Sequence, residues 1–253
     1  MKRATERFSG TVNNYVKYRP GYPAEILAFM EKELGIAENM EVADLGSGTG
    51  KLAALFVKNG MRTFAIEPNE AMRLAAEQLL GGYSSFVSIN GTAENTGLSD
   101  QSVDLITAGQ AFHWFDIEKC RAECLRILRP GGWALLIWNK RIDERTRFMQ
   151  AYNTFLENYS TDYQDINLRR ISQGHFEHFF GGTHYQQANF HHYQEFDLDG
   201  VIGRYLSCSY ALGQNHPRYA EAMDNLEILY DDHKVDNHVK MWYRTEIYYG
   251  KLK

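Results

Sequence analysis

The stretch Asp44-Leu45-Gly46-Ser47-Gly48-Thr49-Gly50 decides how this chain is read. It ends an apolar run, Val42-Ala43-Asp44-Leu45, that has the composition of a strand, and it precedes a helical pattern from Lys51 to Lys58. Strand, glycine turn and helix in that order open a βαβ unit. Glycine lets the backbone turn sharply and lets a ligand come close without a Cβ in the way. The spacing narrows the ligand. A dinucleotide site wants Gly-x-Gly-x-x-Gly, with the helix N-terminus facing a pyrophosphate. Here the run is Gly-x-Gly-x-Gly, and Asp44 stands just before it. That acid would repel a pyrophosphate but suits a ligand that carries an ammonium or sulfonium group. Glu67 ends the second apolar run, 23 residues after Asp44, where a carboxylate can accept hydrogen bonds from both hydroxyls of a ribose.

Outward from this stretch the alternation continues. Arg62-Thr63-Phe64-Ala65-Ile66 is a second strand, and Asn69 is the N-cap of a helix over 70–80. Strands are expected at 85–89, 103–108 and 133–138, the last after a helix over 116–128 that Pro130-Gly131-Gly132 stops. Such alternation predicts right-handed crossovers and a mostly parallel sheet covered on both faces. Beyond Asn139 the pattern changes: 145–183 reads as helical, 185–196 as a strand, 198–233 as helices and 239–249 as a final strand.

Bulk properties exclude several classes. A chain of 253 residues can bury a full core as one unit. The net charge is −5, and Lys and Arg never run longer than two together, so the basic stripe of a nucleic-acid reader is missing. The longest apolar runs, Leu52 to Val57 and Trp133 to Trp138, fall far short of the roughly 20 residues that span a bilayer. Met1 to Arg7 leads into no apolar segment, so no secretory signal is expected. Cys120, Cys124 and Cys208 form no Cys-x-x-Cys pair and are expected as free thiols in a reducing cytoplasm. His191 and His192, with His175, His178 and His184, lack a metal-ligand spacing, and adjacent residues of a strand point to opposite faces, so no metal is expected.

These motifs together resemble the class I S-adenosylmethionine-dependent methyltransferases, over essentially the whole chain. The family's glycine motif matches Asp44 to Gly50, its ribose acid matches Glu67, and its Leu-Arg-Pro-Gly-Gly turn matches Leu128 to Gly132. Gln110-Ala111-Phe112-His113-Trp114-Phe115 and Tyr18-Arg19-Pro20-Gly21-Tyr22-Pro23 are similar to segments of a narrower branch, the trans-aconitate and related small-acid methyltransferases. The resemblance implies an α/β, doubly wound, seven-stranded sheet whose last strand, 239–249, is antiparallel. It also implies a single methyltransferase domain over 1–253: a helical cap at 1–40 over the sheet's working edge, a cofactor-binding core at 41–139, and an acceptor lid with the last strands at 140–253. The cofactor would be S-adenosylmethionine and the partner a small molecule, with neither nucleic acid nor membrane, and O-methylation, in one form of a carboxylate, would be the reaction. The cofactor would meet Asp44, Gly46, Ser47, Gly48 and Gly50 at the loop, whose backbone amides cradle it, with Glu67 and Pro68 at the second strand's end. Ala93 and Glu94 would face the base.

The remaining candidates follow from chemistry. Methyl transfer is an in-line displacement, so the protein must mainly align the acceptor and exclude water. A base is needed only where the acceptor holds a proton at neutral pH. His113 is the candidate for that role, against the alternative that it packs beside the adenosine or shapes the acceptor pocket. Gln110 hydrogen-bonds cofactor or acceptor, or caps its turn. Arg19, with a guanidinium fork that matches carboxylates, clamps the cofactor's methionine carboxylate or an acidic substrate, or lies on the surface. Tyr15 and Tyr18 lid the methionine end or pack in the core, and Arg204, Ser207, Ser209 and Tyr210 sit over the pocket as further acceptor contacts. Two other classes remain open: a cofactor-binding module without catalysis, and a nicotinamide dehydrogenase, which fits the fold but not the loop spacing.

Overall fold

The computed structural model describes residues 12–161, 163 and 171–253. The first eleven residues of the expected cap, and residues 162 and 164–170 of the expected helical stretch, lie outside the described residues. In chain order the elements are α1 (Val12–Tyr18), α2 (Glu25–Phe29, continued by a wider turn at Met30–Leu34), β1 (Glu41–Leu45), α3 (Ala53–Val57), β2 (Arg62–Ile66) and α4 (Glu70–Leu80). Then come β3 (Phe86–Ile89), β4 (Val103–Gly109), α5 (Ile117–Ile127), β5 (Leu128–Arg141) and α6 (Arg147–Asn158). The chain closes with α7 (Gln173–Phe180), β6 (Gln186–Phe196), α8 (Leu198–Leu206), α9 (Tyr219–His233) and β7 (Val239–Gly250).

The strands form one sheet in the order β3-β2-β1-β4-β5-β7-β6, with β7 antiparallel to both neighbours. Alternation along each strand divides the core. Val42, Leu105 and Leu135 pack with Ile26, Met30 and Phe56 of α2 and α3, while their neighbours Ala43, Ile106 and Leu136 pack with Cys120, Cys124 and Phe179 of α5 and α7. A third cluster joins α6, α8 and α9 to Met241 and Tyr243 at the start of β7, and this layer roofs the carboxyl ends of β4 and β5.

Two expectations about this frame change. The Pro130-Gly131-Gly132 turn was expected to precede the fifth strand, yet β5 already pairs at Leu128. From Leu128 to Trp133 the partner advances only from Val103 to Leu105, so the three residues form a bulge. Gly131 sits at φ +83, and a Cβ on Gly132 would lie 2.7 Å from the Asp104 carbonyl oxygen, so the bulge needs its glycines. The second change concerns the cap. Among the described residues of the cap, α1 and the strap behind it, Arg19 to Tyr22, reach the working edge, while α2 buries Ile26, Leu27 and Met30 against a face of the sheet.

Helix caps set where the site's loops begin. The Asn69 side chain accepts from the Met72 amide, which starts α4 directly after Glu67 and Pro68. Glu123 of α5 holds the loop between β3 and β4: its Oε1 accepts from the amide and the hydroxyl of Thr96 at 2.8 and 2.6 Å, and Arg126 donates to both its oxygens. The Arg126 guanidinium, helped by Thr96, holds this carboxyl down at about 2. Replacing Glu123 with alanine is expected to cost about 1–3 kcal/mol at neutral pH, the penalty of leaving buried donors unpaired. Because the folded carboxyl is depressed, its contribution is present above the unfolded value, near 4.3, and fades as the pH falls toward 2. Urea denaturation of wild type and Glu123→Ala across that range should show the two curves converging in acid.

Candidate active site

A cavity of about 1050 Å³ opens at the carboxyl ends of β1 and β4, where the strand order reverses and open α/β sheets bind ligands. Its lining contains Tyr15, Arg19, Asp44, Gly46, Ser47, Gly48, Glu67, Pro68, Ala93, Glu94, Gln110 and His113. Of the expected cofactor residues Gly50 alone stays outside. It turns the loop back at φ +79, and a Cβ there would meet Leu80 at 2.9 Å, so Gly50 seats the loop on α4. Gly46 is needed in the same sense: at φ +63, a Cβ would lie 2.7 Å from that of Ala111.

The loop's amides are used differently from the expected cradle. Ser47 donates to the Ile66 carbonyl, Gly50 to the Ser47 carbonyl and Gly48 to Glu67 Oε2 at 2.9 Å. These three amides are committed inside the protein, because a buried five-residue bend between strand and helix must satisfy its own donors. What the loop leaves over is side-chain capacity. Asp44 is fully buried; its Oδ1 accepts from the Thr107 hydroxyl at 2.9 Å and its Oδ2 has no partner. The hydroxyls of Ser47 and Thr49 are likewise buried without partners. Burial raises the Asp44 carboxyl to about 7, against the opposing hydrogen bond from Thr107.

Glu67 closes the other side. Its Oε1 accepts from the Asn69 amide at 2.8 Å and its Oε2 from Gly48, leaving each oxygen a further lone pair toward the cavity. Burial raises its carboxyl, opposed by those two amides and by Arg73. Glu94, expected to face the base, spends one oxygen on the Asp116 amide at the start of α5, 2.9 Å away. Ala93 beside it is 3% exposed and leaves a flat apolar wall.

After β4 the chain is strained. Gln110 adopts φ +58, a region uncommon for a residue with a side chain and concentrated at functional sites. Its side-chain amide donates to the Asn139 carbonyl at 2.9 Å, binding the ends of β4 and β5 together. Asn139 in turn holds the strap: its Nδ2 donates to the Gly21 carbonyl, while its Oδ1 accepts from Thr245 of β7 and faces His192 of β6 at 3.3 Å. His113 sits in a single 3-10 turn, Phe112–Trp114, with its ring 4.9 Å from that of Trp114. Tyr18 does not reach the cavity; its ring lies on Gly203 of α8.

The lid half of the cavity carries the opposite charge. Arg204 of α8, Arg141 at the end of β5, Lys51 after the glycine loop and Arg19 of the strap converge there with Ser209 and Tyr210, while Ser207 lies behind them. Arg19 donates to the Ser207 carbonyl at 3.1 Å, stacks on Tyr15 and leaves its buried Nε without a partner. Arg141 pairs with Asp143 at 2.8 Å and donates to the Tyr163 hydroxyl at 2.6 Å. Sequence reading missed Lys51, Arg141 and Tyr163, because what brings them together is the fold of distant segments around Arg204, which no local pattern marks. The histidines do not gather: His192 stacks on Tyr243, and no group of three or more His, Cys, Asp or Glu among the described residues could hold a metal.

The raised Asp44 carboxyl has a direct consequence. A carboxyl raised by folding favours the folded state at low pH, and that advantage is lost as the pH rises through about 7. Asp44→Asn removes the titration, so the variant without ligand should be more thermostable than wild type above pH 7 and show a flatter melting temperature against pH. Parallel curves for the two proteins would refute the assignment.

Comparison with known proteins agrees with this geometry. Residues 43–136 match a family model described as a methyltransferase domain. An uncharacterized methyltransferase of Mycobacterium tuberculosis is 38% identical over 138 residues, 54% of this chain and 54% of that protein, so the chain spans about half the length of the curated relatives it matches first. A malonyl-[acyl-carrier protein] O-methyltransferase of Methylococcus capsulatus is 36% identical over 92 residues, 35% of this chain and 34% of that one. Among solved structures, a methyltransferase of Geobacter sulfurreducens in complex with S-adenosyl-L-homocysteine superposes with a TM-score of 0.53 at 18% identity, over 99% of this chain and 100% of that one. Strand order, glycine loop and these likenesses together give the chain the fold of the class I S-adenosylmethionine-dependent methyltransferases.

Proposed function

We propose that this protein is an enzyme that uses S-adenosylmethionine to O-methylate a small carboxylic acid, as the resemblance to the trans-aconitate branch implies. The observation that carries the reading is the division of charge within one cavity. Asp44, Glu67 and Glu94 lie at the ends of the first strands, and at the lid Arg19, Lys51, Arg141 and Arg204 outnumber Asp143 and Glu157. The first group fits the cofactor. The unpartnered Asp44 Oδ2 is an acceptor for its ammonium, the spare lone pairs of Glu67 fit ribose hydroxyls, and Ala93 offers a surface for the base. When bound, the cofactor supplies a methyl group on a positively charged sulfur. The second group fits an anionic acceptor, and the name of the Methylococcus relative, which describes O-methylation of malonyl-[acyl-carrier protein], supports an acid.

The chain's own residues then have simple work. The arginines orient the acceptor, and Trp114, Phe115, Trp138 and Phe176 form an apolar wall that excludes water. A carboxylate arrives ionised, so no side chain has to remove a proton. His113 acts by shape: its ring, 4.9 Å from that of Trp114, lines the cavity beside the apolar wall. Three buried free thiols suit a cytoplasmic enzyme.

Two measurements test this. Calorimetry should show S-adenosylmethionine binding that weakens about ten- to a hundredfold in Glu67→Ala, the size of losing hydrogen bonds to a charged group. Turnover of methyl-labelled cofactor should appear on small carboxylic acids. Its rate should lack the pH limb of a histidine base and change less than about threefold in His113→Asn, because general-base catalysis would be worth about a hundredfold or more. Transfer to phenols or amines but to no acid would overturn the acceptor assignment.

A further inference from the structure

At the lid end of the cavity Arg204 carries a charge that no carboxylate among the described residues pairs with. Arg204 lines the cavity and is only 3% exposed. Its Nε donates to the Tyr243 hydroxyl at 3.1 Å and its Nη1 to the Cys208 sulfur at 3.1 Å; among the described residues no acid pairs with it. Arg19 adds a second guanidinium with a buried, unpartnered Nε. Arg141 adds a third, of which Asp143 takes up the charge. A buried charge without a counter-ion is strongly disfavoured, so an anion entering this end of the cavity would be favoured.

We propose that Arg204, with Arg19 and Arg141 beside it, is a seat for an acid group of the acceptor, and that the Cys208 thiolate is the resident counter-ion of that seat, taking up a proton from solvent when the acid group arrives. This rests on the small-acid reading above. The groups facing Cys208 support it. From its own segment come Arg204, Ser207 and Tyr210, from the strap Arg19, and from β5 Arg141. Tyr152 of α6 and Tyr205 of α8 also face it; burial raises both phenols, and Tyr210 as well, so none of the three supplies the negative charge. Lys51 stands near Arg19 and Arg204, its own ammonium lowered to about 8, first by burial and then by those two arginines. Burial alone would push the Cys208 thiol up, but Arg19, Arg204, the Tyr210 hydroxyl and Arg141 outweigh it and bring it down to about 7. An anion on Arg204 competes for that same stabilisation and returns the thiol toward its ordinary value near 8.5.

Proton uptake is therefore the signature. Succinate, and succinamide as its uncharged analogue, are titrated near pH 8 in buffers of different ionisation enthalpy, with and without S-adenosyl-L-homocysteine. Wild type should bind succinate with uptake of about half a proton or more, falling toward zero near pH 6 where the thiol is already protonated. Succinamide should not bind. Cys208→Ser, which keeps the shape and a neutral hydroxyl, should bind succinate at least as tightly near pH 8 with that uptake gone, and Arg204→Gln should bind it at least tenfold more weakly. Arg204→Lys, which keeps a charge if the glutamine variant does not fold, should fall between. Equal uptake in wild type and Cys208→Ser, or succinate binding that ignores both Arg204 variants, overturns the seat. So does loss of S-adenosyl-L-homocysteine affinity in a folded Arg204 variant, which would assign the arginine to the cofactor's carboxylate. Succinate binding with proton uptake in a protein that never binds S-adenosyl-L-homocysteine would instead leave the seat standing and refute the methyl-transfer reading.

Discussion

The structure turns on one carboxylate kept out of water. Asp44 closes β1 at the point where the sheet reverses, with one oxygen held by Thr107 of the neighbouring strand and the other left open. Holding an acid there is unfavourable on its own, as its carboxyl, raised by burial to about 7, shows. The arrangement persists because β1 and β4 are central strands pinned on both faces by the apolar clusters, so the side chain has nowhere to relax. The glycine turn follows from the same position. Its committed amides keep the loop rigid, and the interaction left for a ligand is charge with Asp44 and hydrogen bonding with Glu67.

The opposite end of the cavity is organised by a different principle. The strands supply acids from neighbouring loops, while the lid supplies cations from four distant parts of the chain: the strap, the residue after the glycine loop, the end of β5 and α8. The sheet holds the first set at fixed register. The second set depends on packing among α6, α8, α9 and β7, where Tyr205, Met241 and Tyr243 are buried together. The strand-end half of the cavity is thus fixed by the backbone and the lid half by side-chain packing.

That difference explains what could be read beforehand. Strand and helix periods located β2 and α4 at their observed residues, and the loop spacing with Glu67 identified one half of the cavity, because those signals are local. The bulge at Pro130-Gly131-Gly132 was misread as a stop, since turn residues inside a strand look like turn residues after a helix. Arg19 was visible only through its strap motif. Arg141 and Lys51 were not visible at all: their meaning comes from convergence on Arg204 across more than sixty residues of chain, which no window of sequence contains. The backbone of Gln110 is a further example, since its positive φ follows from the tie to Asn139 on another strand.

Asn139 joins three layers through one side chain and its own carbonyl: the strap at Gly21, the strand end at Gln110, and the sheet edge at Thr245 and His192. The strap therefore does not swing as an independent flap. A displacement of the strap at Gly21 would break its hydrogen bond from Asn139, the residue whose carbonyl also holds Gln110. Strap position and strand-end geometry are therefore coupled through one asparagine, so a change at either is felt at the other.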